Sequence, residues 1–216
     1  YDNGCYRLPS WMWSDAPVVS AFLQYSNRLS SRQKKLYTNI AQNIGKVMLE
    51  NQIHDSENIN YGALVSRYRY YSYNNKPFDC LLGPNDTSFI VKWALLPLYL
   101  HTNEPIYLER SKIALDWVQS TFYKHNLFPS HYYLYQNKWE DSQFVDSGFM
   151  PEGFASYNKH FQDNRNILYR KTVFQFMRRF IKHFKMKSGY YRLDFSFKRM
   201  NNTIFSRGQG WVIEGL

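Results

Sequence analysis

The sequence predicts an all-α fold, a toroid of helical hairpins, and three observations predict it. Apolar residues recur with a helical period, and little of the chain alternates with the two-residue period of strands. Three segments each read as two helices around a short polar turn. Finally, Asp15, Asp86, Asp146 and Gln209 stand at the heads of successive units, separated by 71, 60 and 63 residues.

The first hairpin is predicted from about Ala16 to Glu50, where "APVVSAFLQYSNRL" is followed by a Ser-Ser-Arg-Gln break and "LYTNIAQNIGKVMLE". A second runs from about Ser88 to Phe122, turning at "NEP", and a third from about Gly148 to Phe184, turning at "QDNRN". Each opens with an apolar helix ending near a tyrosine (Tyr25, Tyr99, Tyr157) and closes with an amphipathic helix carrying another (Tyr37, Tyr107, Tyr169). Gln209 and Trp211 open what reads as the start of a fourth unit. Hairpins at this step suit a ring in which the more apolar first helices form the inner layer. Their N-termini then share one rim, and polar residues at those N-termini converge on a common mouth at the positive ends of the helix dipoles.

An aspartate before a helix is also the ordinary N-cap. "SDAP" at Asp15 fits that role, whereas Asp146 in "QFVDSGFM" sits among apolar and aromatic residues. Such a setting raises a carboxyl pKa and keeps a proton available for donation.

Composition bounds the function. With 216 residues, 44% of them hydrophobic, the chain can bury a substantial core as one domain. Its 19 Tyr, 16 Phe and 6 Trp suit the faces of sugars and the packing of helices equally. The net charge of +10 draws polyanions, whether nucleic acid, anionic lipid or acidic polysaccharide. The basic residues are dispersed, however, and the densest group, Arg178 to Lys187, reads as the solvated face of a helix. Carboxylates at the predicted rim would repel phosphates, which argues against nucleic acid. No apolar run is long enough to span a bilayer, which argues against a membrane-embedded role. Cys5 and Cys80 form neither a metal spacing nor a redox motif, and a single disulfide between them is left open. No motif calls for a metal or an organic cofactor. Asn85-Asp-Thr87 and Asn201-Asn-Thr203 fit the glycosylation sequon.

Three motifs resemble, in type, order and spacing, those of the unsaturated glucuronyl and rhamnogalacturonyl hydrolases, glycoside hydrolase families 88 and 105. They are "NDTSFI" at Asn85 to Ile90, "FVDSGFMPEGFASY" at Phe144 to Tyr157, and "SRGQGW" at Ser206 to Trp211. The resemblance spans about Trp11 to Leu216. It implies an (α/α)6 toroid acting on acidic oligosaccharides left by polysaccharide lyases, whose terminal uronic acid carries a C4–C5 double bond.

On that resemblance Asp146 protonates C4 and then helps water add at C5, and Asp86 is the partner acid that orients sugar hydroxyls. Arg207 pairs with the uronate carboxylate, whose two oxygens match its planar fork. Trp211 stacks on a sugar face, Gln209 hydrogen-bonds the sugar, and Trp13, Tyr191 and His131 complete the binding surface. Where family members carry a histidine after the third hairpin, "SGYYRLD" has Tyr191 and Arg192. The run "RYRYYSY" at Arg67 to Tyr73 reads as an outer binding wall or a short edge strand.

Two other functions fit the same pattern. One is a non-catalytic protein that binds acidic glycans with the same mouth. The other is a different (α/α)6 sugar enzyme such as an epimerase, although those rely on central histidines and none of the six His opens a hairpin. Three hairpins and the beginning of a fourth amount to about half of a six-hairpin ring. Residues 1–216 are therefore predicted to be a single catalytic domain that is the N-terminal part of a toroid.

Overall fold

Each predicted hairpin forms. The computed structural model describes residues 12–66, 81–125, 129–134, 136–140, 142–144, 147–148, 150–191 and 194–196. Within them α1 (Met12–Ser26) turns into α2 (Ser31–Glu50). The second hairpin starts with α3 (Pro84–Ile90), a π-helical segment (Val91–Leu95) and α4 (Leu96–Thr102), and returns along α5 (Pro105–His125). The third pairs α6 (Pro151–His160) with α7 (Arg165–Phe184).

Local chemistry explains the boundaries. Gln33 Oε1 accepts from the backbone N–H and the hydroxyl of Ser30, at 3.4 and 2.8 Å, and so starts α2. Pro84, Pro105 and Pro151 each stand first in their helices, where a missing N–H costs nothing. Asn103 adopts the left-handed conformation, with φ of 59°, and ends α4.

Proline also explains the π-helical segment. Pro97 has no N–H to donate to the Trp93 carbonyl four residues earlier. The Leu96 N–H reaches back to Val91 O with the wider spacing, and Ser20 of α1 supplies the missing donor, its hydroxyl 2.7 Å from Trp93 O. A local backbone fault thus becomes a bond between two hairpins.

The first helices form the inner layer, as the periodicity predicts. α1 packs on α3, the π-helical segment and α4, and α6 packs on α3 and the same segment. Their N-termini meet. The Met12 N–H donates to Ser66 O at 2.9 Å, and the Ser66 N–H donates to Leu81 O at 2.7 Å, three residues before α3. Ser88 in α3 donates to Met150 O at 2.5 Å and accepts from the Gly153 N–H at 3.1 Å. Gly153 is required there, because a Cβ would lie 2.7 Å from the Ser88 carbonyl oxygen.

The second helices flank this layer. α2 lies against α1 and α4, and Gly45 lets it approach so closely that a Cβ would meet Leu98 Cδ1 at 2.3 Å. α5 and α7 are tied by Asp116, which accepts from Tyr169 Oη at 2.7 Å and pairs with Arg165 Nη2 at 3.1 Å. Much of the aromatic content is core: Phe122, Phe154, Tyr157, Tyr169, Phe176, Phe180 and Phe184 are fully buried. The repeat tyrosines are not equivalent. Tyr157 and Tyr169 meet edge to face at 5.3 Å, whereas Tyr25 is exposed. Arg178 and Lys182 lie on the solvated face of α7 expected from the basic cluster, with exposed Lys185 just beyond its end, while Arg179 covers the Phe122 ring at 5.0 Å.

Two expectations are corrected. α1 begins at Met12 and α3 at Pro84, so Asp15 and Asp86 lie inside first turns and do not precede their hairpins as caps. Asn85 is 7% exposed within α3, so that sequon is not presented for a glycan. Short strands also join the helices, in numbers the periodicity did not predict. β1 (Leu81–Leu82), β2 (Tyr132–Tyr133) and β3 (Lys138–Trp139) make one antiparallel sheet. β4 (Ser142–Phe144) and β5 (Asp194–Ser196) make another. Cys5, Cys80, the Arg67–Tyr73 run and the Asn201 sequon lie outside the described residues.

Candidate functional site

The short strands assemble the site. Leu82 pairs with Tyr132, so the chain leaving β1 toward Asp86 runs beside the chain that delivers His131 to β2. Tyr132 pairs in turn with Trp139, which sets His131 opposite Glu140, and the Glu140 N–H donates to His131 O at 2.8 Å. Asp86 then arises from helix geometry: with Pro84 first in α3, it is the third residue, in the first turn at the positive end of the helix.

These residues form a chain of charges. His131 Nε2 is 3.7 Å from Asp86 Oδ2, and its Nδ1 is 3.4 Å from Glu140 Oε2. Their side chains are largely buried, at 22%, 10% and 25% exposed for His131, Asp86 and Glu140. Burial alone would lower the imidazole's pKa, but the neighbouring carboxylates of Asp86 and Glu140 outweigh it and push it up to about 9. At neutral pH His131 is therefore an imidazolium, a holder of negative charge and a proton donor rather than a base.

Asp86 meets His131 through charge, at a distance longer than a hydrogen bond. Its Oδ2 is buried with no hydrogen-bond partner among the described residues, and so is Ser66 Oγ. Both lie 3.0 Å from the point where a Cβ on Gly83 would stand, so the glycine leaves room between them. Unsatisfied buried polar atoms are costly in a folded chain, and their clustering marks a functional site.

A second group lines the inner layer beside it. Trp13 in α1 meets Phe89 edge to face at 6.0 Å, and Phe89 lies 6.1 Å from Trp93. Lys92 Nζ stands 4.4 Å over the Trp93 ring and 2.7 Å from Glu152 Oε2 at the head of α6. Trp13, Phe89 and Trp93 are all partly exposed, which leaves aromatic surface for a sugar. Tyr191 stacks on Phe180 at 5.9 Å and bridges to Lys185, so the structure gives it a packing contact at the end of α7.

Of the predicted site residues, the structure brings Asp86 and His131 together and puts Trp13 on the neighbouring helix. Asp146, Arg207, Gln209 and Trp211 lie outside the described residues. The pairing of β4 with β5 joins the segment ending two residues before Asp146 to one beginning three residues after Tyr191. Sequence reading missed Glu140 and Ser66. Glu140 had a signal, since Asn137, with φ of 50°, is a turn former between two aromatic runs and folding there sets 140 opposite 131. Ser66 had none. Among the described residues no group of three or more His, Cys, Asp or Glu could hold a metal ion, and no helix is long and apolar enough to cross a membrane.

No family model matches the chain, and no curated protein matches it by sequence. Solved structures do. A family 76 glycoside hydrolase from a bovine Bacteroides thetaiotaomicron strain aligns with a TM-score of 0.64 at 13% identity, covering 100% of this chain and 47% of its own. A D-mannose isomerase aligns at 0.65 and 14%, covering 96% and 54%. A sugar epimerase from a ruminal bacterium aligns at 0.63 and 11%, covering 92% and 50%. The fold is that of the (α/α)6 toroids, and the chain spans about half the length of these solved proteins.

Proposed function

We propose that the protein is a sugar-active enzyme of the toroid class. Within that class, our reading is that it removes a terminal 4,5-unsaturated uronic acid from lyase-generated oligosaccharides by hydrating the vinyl ether double bond. The observation that carries it is Asp86: a buried carboxylate at the head of an inner helix, paired with an imidazolium through an oxygen that makes no hydrogen bond among the described residues. The three sequence motifs and the likeness of fold to sugar-processing enzymes support the same reading.

In this mechanism Asp146 gives its proton to C4 of the double bond. Water adds its oxygen to C5 and returns a proton to Asp146, so one carboxyl group serves as acid and then base. The resulting hemiketal opens and releases the neighbouring sugar. Asp86 accepts hydrogen bonds from sugar hydroxyls, Arg207 grips the uronate carboxylate, and Trp13 offers an aromatic edge. Mixing the full chain with unsaturated disaccharides from several lyase digests should bleach the absorbance of the conjugated double bond. A folded protein that bleaches none of them but still binds them would be a glycan-binding protein instead.

One observation favours a second reading, an epimerase or isomerase acting on a reducing sugar: His131 does stand at the head of an inner helix, although not on it. Its paired carboxylates keep the proton on the ring at neutral pH, which suits an acid and not a proton-abstracting base. Following the anomeric and C2 protons of mannose- and glucose-ended sugars by NMR separates the two readings.

A further inference from the structure

The Asp86–His131–Glu140 chain holds a residue that neither the motifs nor the proposed reaction uses. Glu140 stands at the end of β3, on the far side of the imidazole from Asp86, and is held there by the strand register and by its own N–H on His131 O. Its Oε2 faces Nδ1, the nitrogen that must carry a proton if Nε2 is also to present one to Asp86. Two carboxylates on opposite ring nitrogens fix both the plane of the ring and its charge, as a second carboxylate does for a metal-bound histidine. We infer that Glu140 is a positioning residue: across the β2–β3 hairpin it holds His131 as an imidazolium aligned on Asp86, so that Asp86 meets an acidic sugar as half of an ion pair and not as a bare anion.

The benefit to an acidic substrate rests on the proposed function, but the alignment of charge does not. With His131 charged, the three groups sum to one negative charge. Without that proton they sum to two, in a largely buried place where repulsion of a uronate is weakly screened. Ser66 Oγ and Asp86 Oδ2 flank the space over Gly83, and that carboxylate oxygen is the one His131 Nε2 faces at 3.7 Å.

The test is a histidine titration of the full chain by long-range proton–nitrogen NMR. His131 is assigned among the six histidines by its loss in His131→Asn. The wild-type ring should titrate well above the ordinary 6.5. Glu140→Gln keeps the size and a carbonyl acceptor for Nδ1–H but removes the charge. It should lower the midpoint by about one pH unit or more, a tenfold or greater loss of proton affinity. Glu140→Asp, which keeps the charge but draws it back, should fall between the two. A wild-type midpoint near 6.5 overturns the inference whatever the variants do, and so does a midpoint that Glu140→Gln or Glu140→Asp leaves unchanged. If the titration behaves as expected while no unsaturated uronide is consumed, the sugar reading fails and the positioning role of Glu140 stands.

Discussion

At the residue scale the site is an argument about protons. On the proposed mechanism Asp146→Asn takes away the proton donor and keeps the shape, so turnover of an unsaturated disaccharide should fall by about three orders of magnitude or more with binding largely retained. A variant of near-normal rate would remove Asp146 from the mechanism. Arg207→Ala should weaken uronate-ended sugars at least about tenfold more than neutral ones, as loss of a charge-assisted fork requires. Equal losses for both would make Arg207 structural. His131 gives a prediction in stability. Its folded pKa of about 9 lies above the ordinary 6.5, so the ion pairs contribute fully below about 6.5, and the contribution is lost as pH rises through about 9. The stability advantage of wild type over His131→Asn should therefore shrink, on the order of 3 kcal/mol, between pH about 6.5 and 10. Urea unfolding of both proteins at the two ends of that window measures it.

At the element scale, single backbone faults decide how helices meet. Pro97 strips the Trp93 carbonyl of its helical donor, and Ser20 from another hairpin replaces it. Ser20→Ala should leave that carbonyl unsatisfied in a buried place and cost about 1–3 kcal/mol. In a Pro97→Ala background, where an N–H is restored, the same change should cost much less, and a double-mutant cycle reads the coupling. Additive losses would mean that the π-helical turn has a different cause. The strands work at the same scale. β1 and β2 are only two residues each, yet their register decides that His131 faces both Asp86 and Glu140.

At the scale of the whole molecule, the inner layer joins its second and third hairpins through one close approach at the heads of α3 and α6. Gly153 brings the head of α6 onto Ser88 of α3, and the Ser88 hydroxyl serves both backbones. Gly153→Ala puts a methyl group against a carbonyl that cannot yield, so the second and third hairpins must part. A loss of about 1–3 kcal/mol in chemical denaturation is expected. A change within about 0.5 kcal/mol would show that α6 can shift freely.

The sequence by itself determined the three hairpins, their turns and which helix of each pair is the inner one, because periodicity, caps and prolines act within a few residues of where they stand. It also pointed to Asp86, an acid at the head of an inner helix in "NDTSFI", and to His131 as a loop residue of the binding surface. Only the tertiary structure decided that these two belong to one charge chain, that Glu140 completes it and that Ser66 faces the same space. Those facts depend on the register of two-residue strands, and a strand that short has no periodicity to read. The π-helical turn has the same origin: Pro97 announces a broken hydrogen bond, but which distant hydroxyl repairs it is settled by how the hairpins pack. Asp86 could be picked out as a residue from the chain alone, whereas its partners, and with them its charge environment, exist only where separate stretches of chain are brought to the same rim.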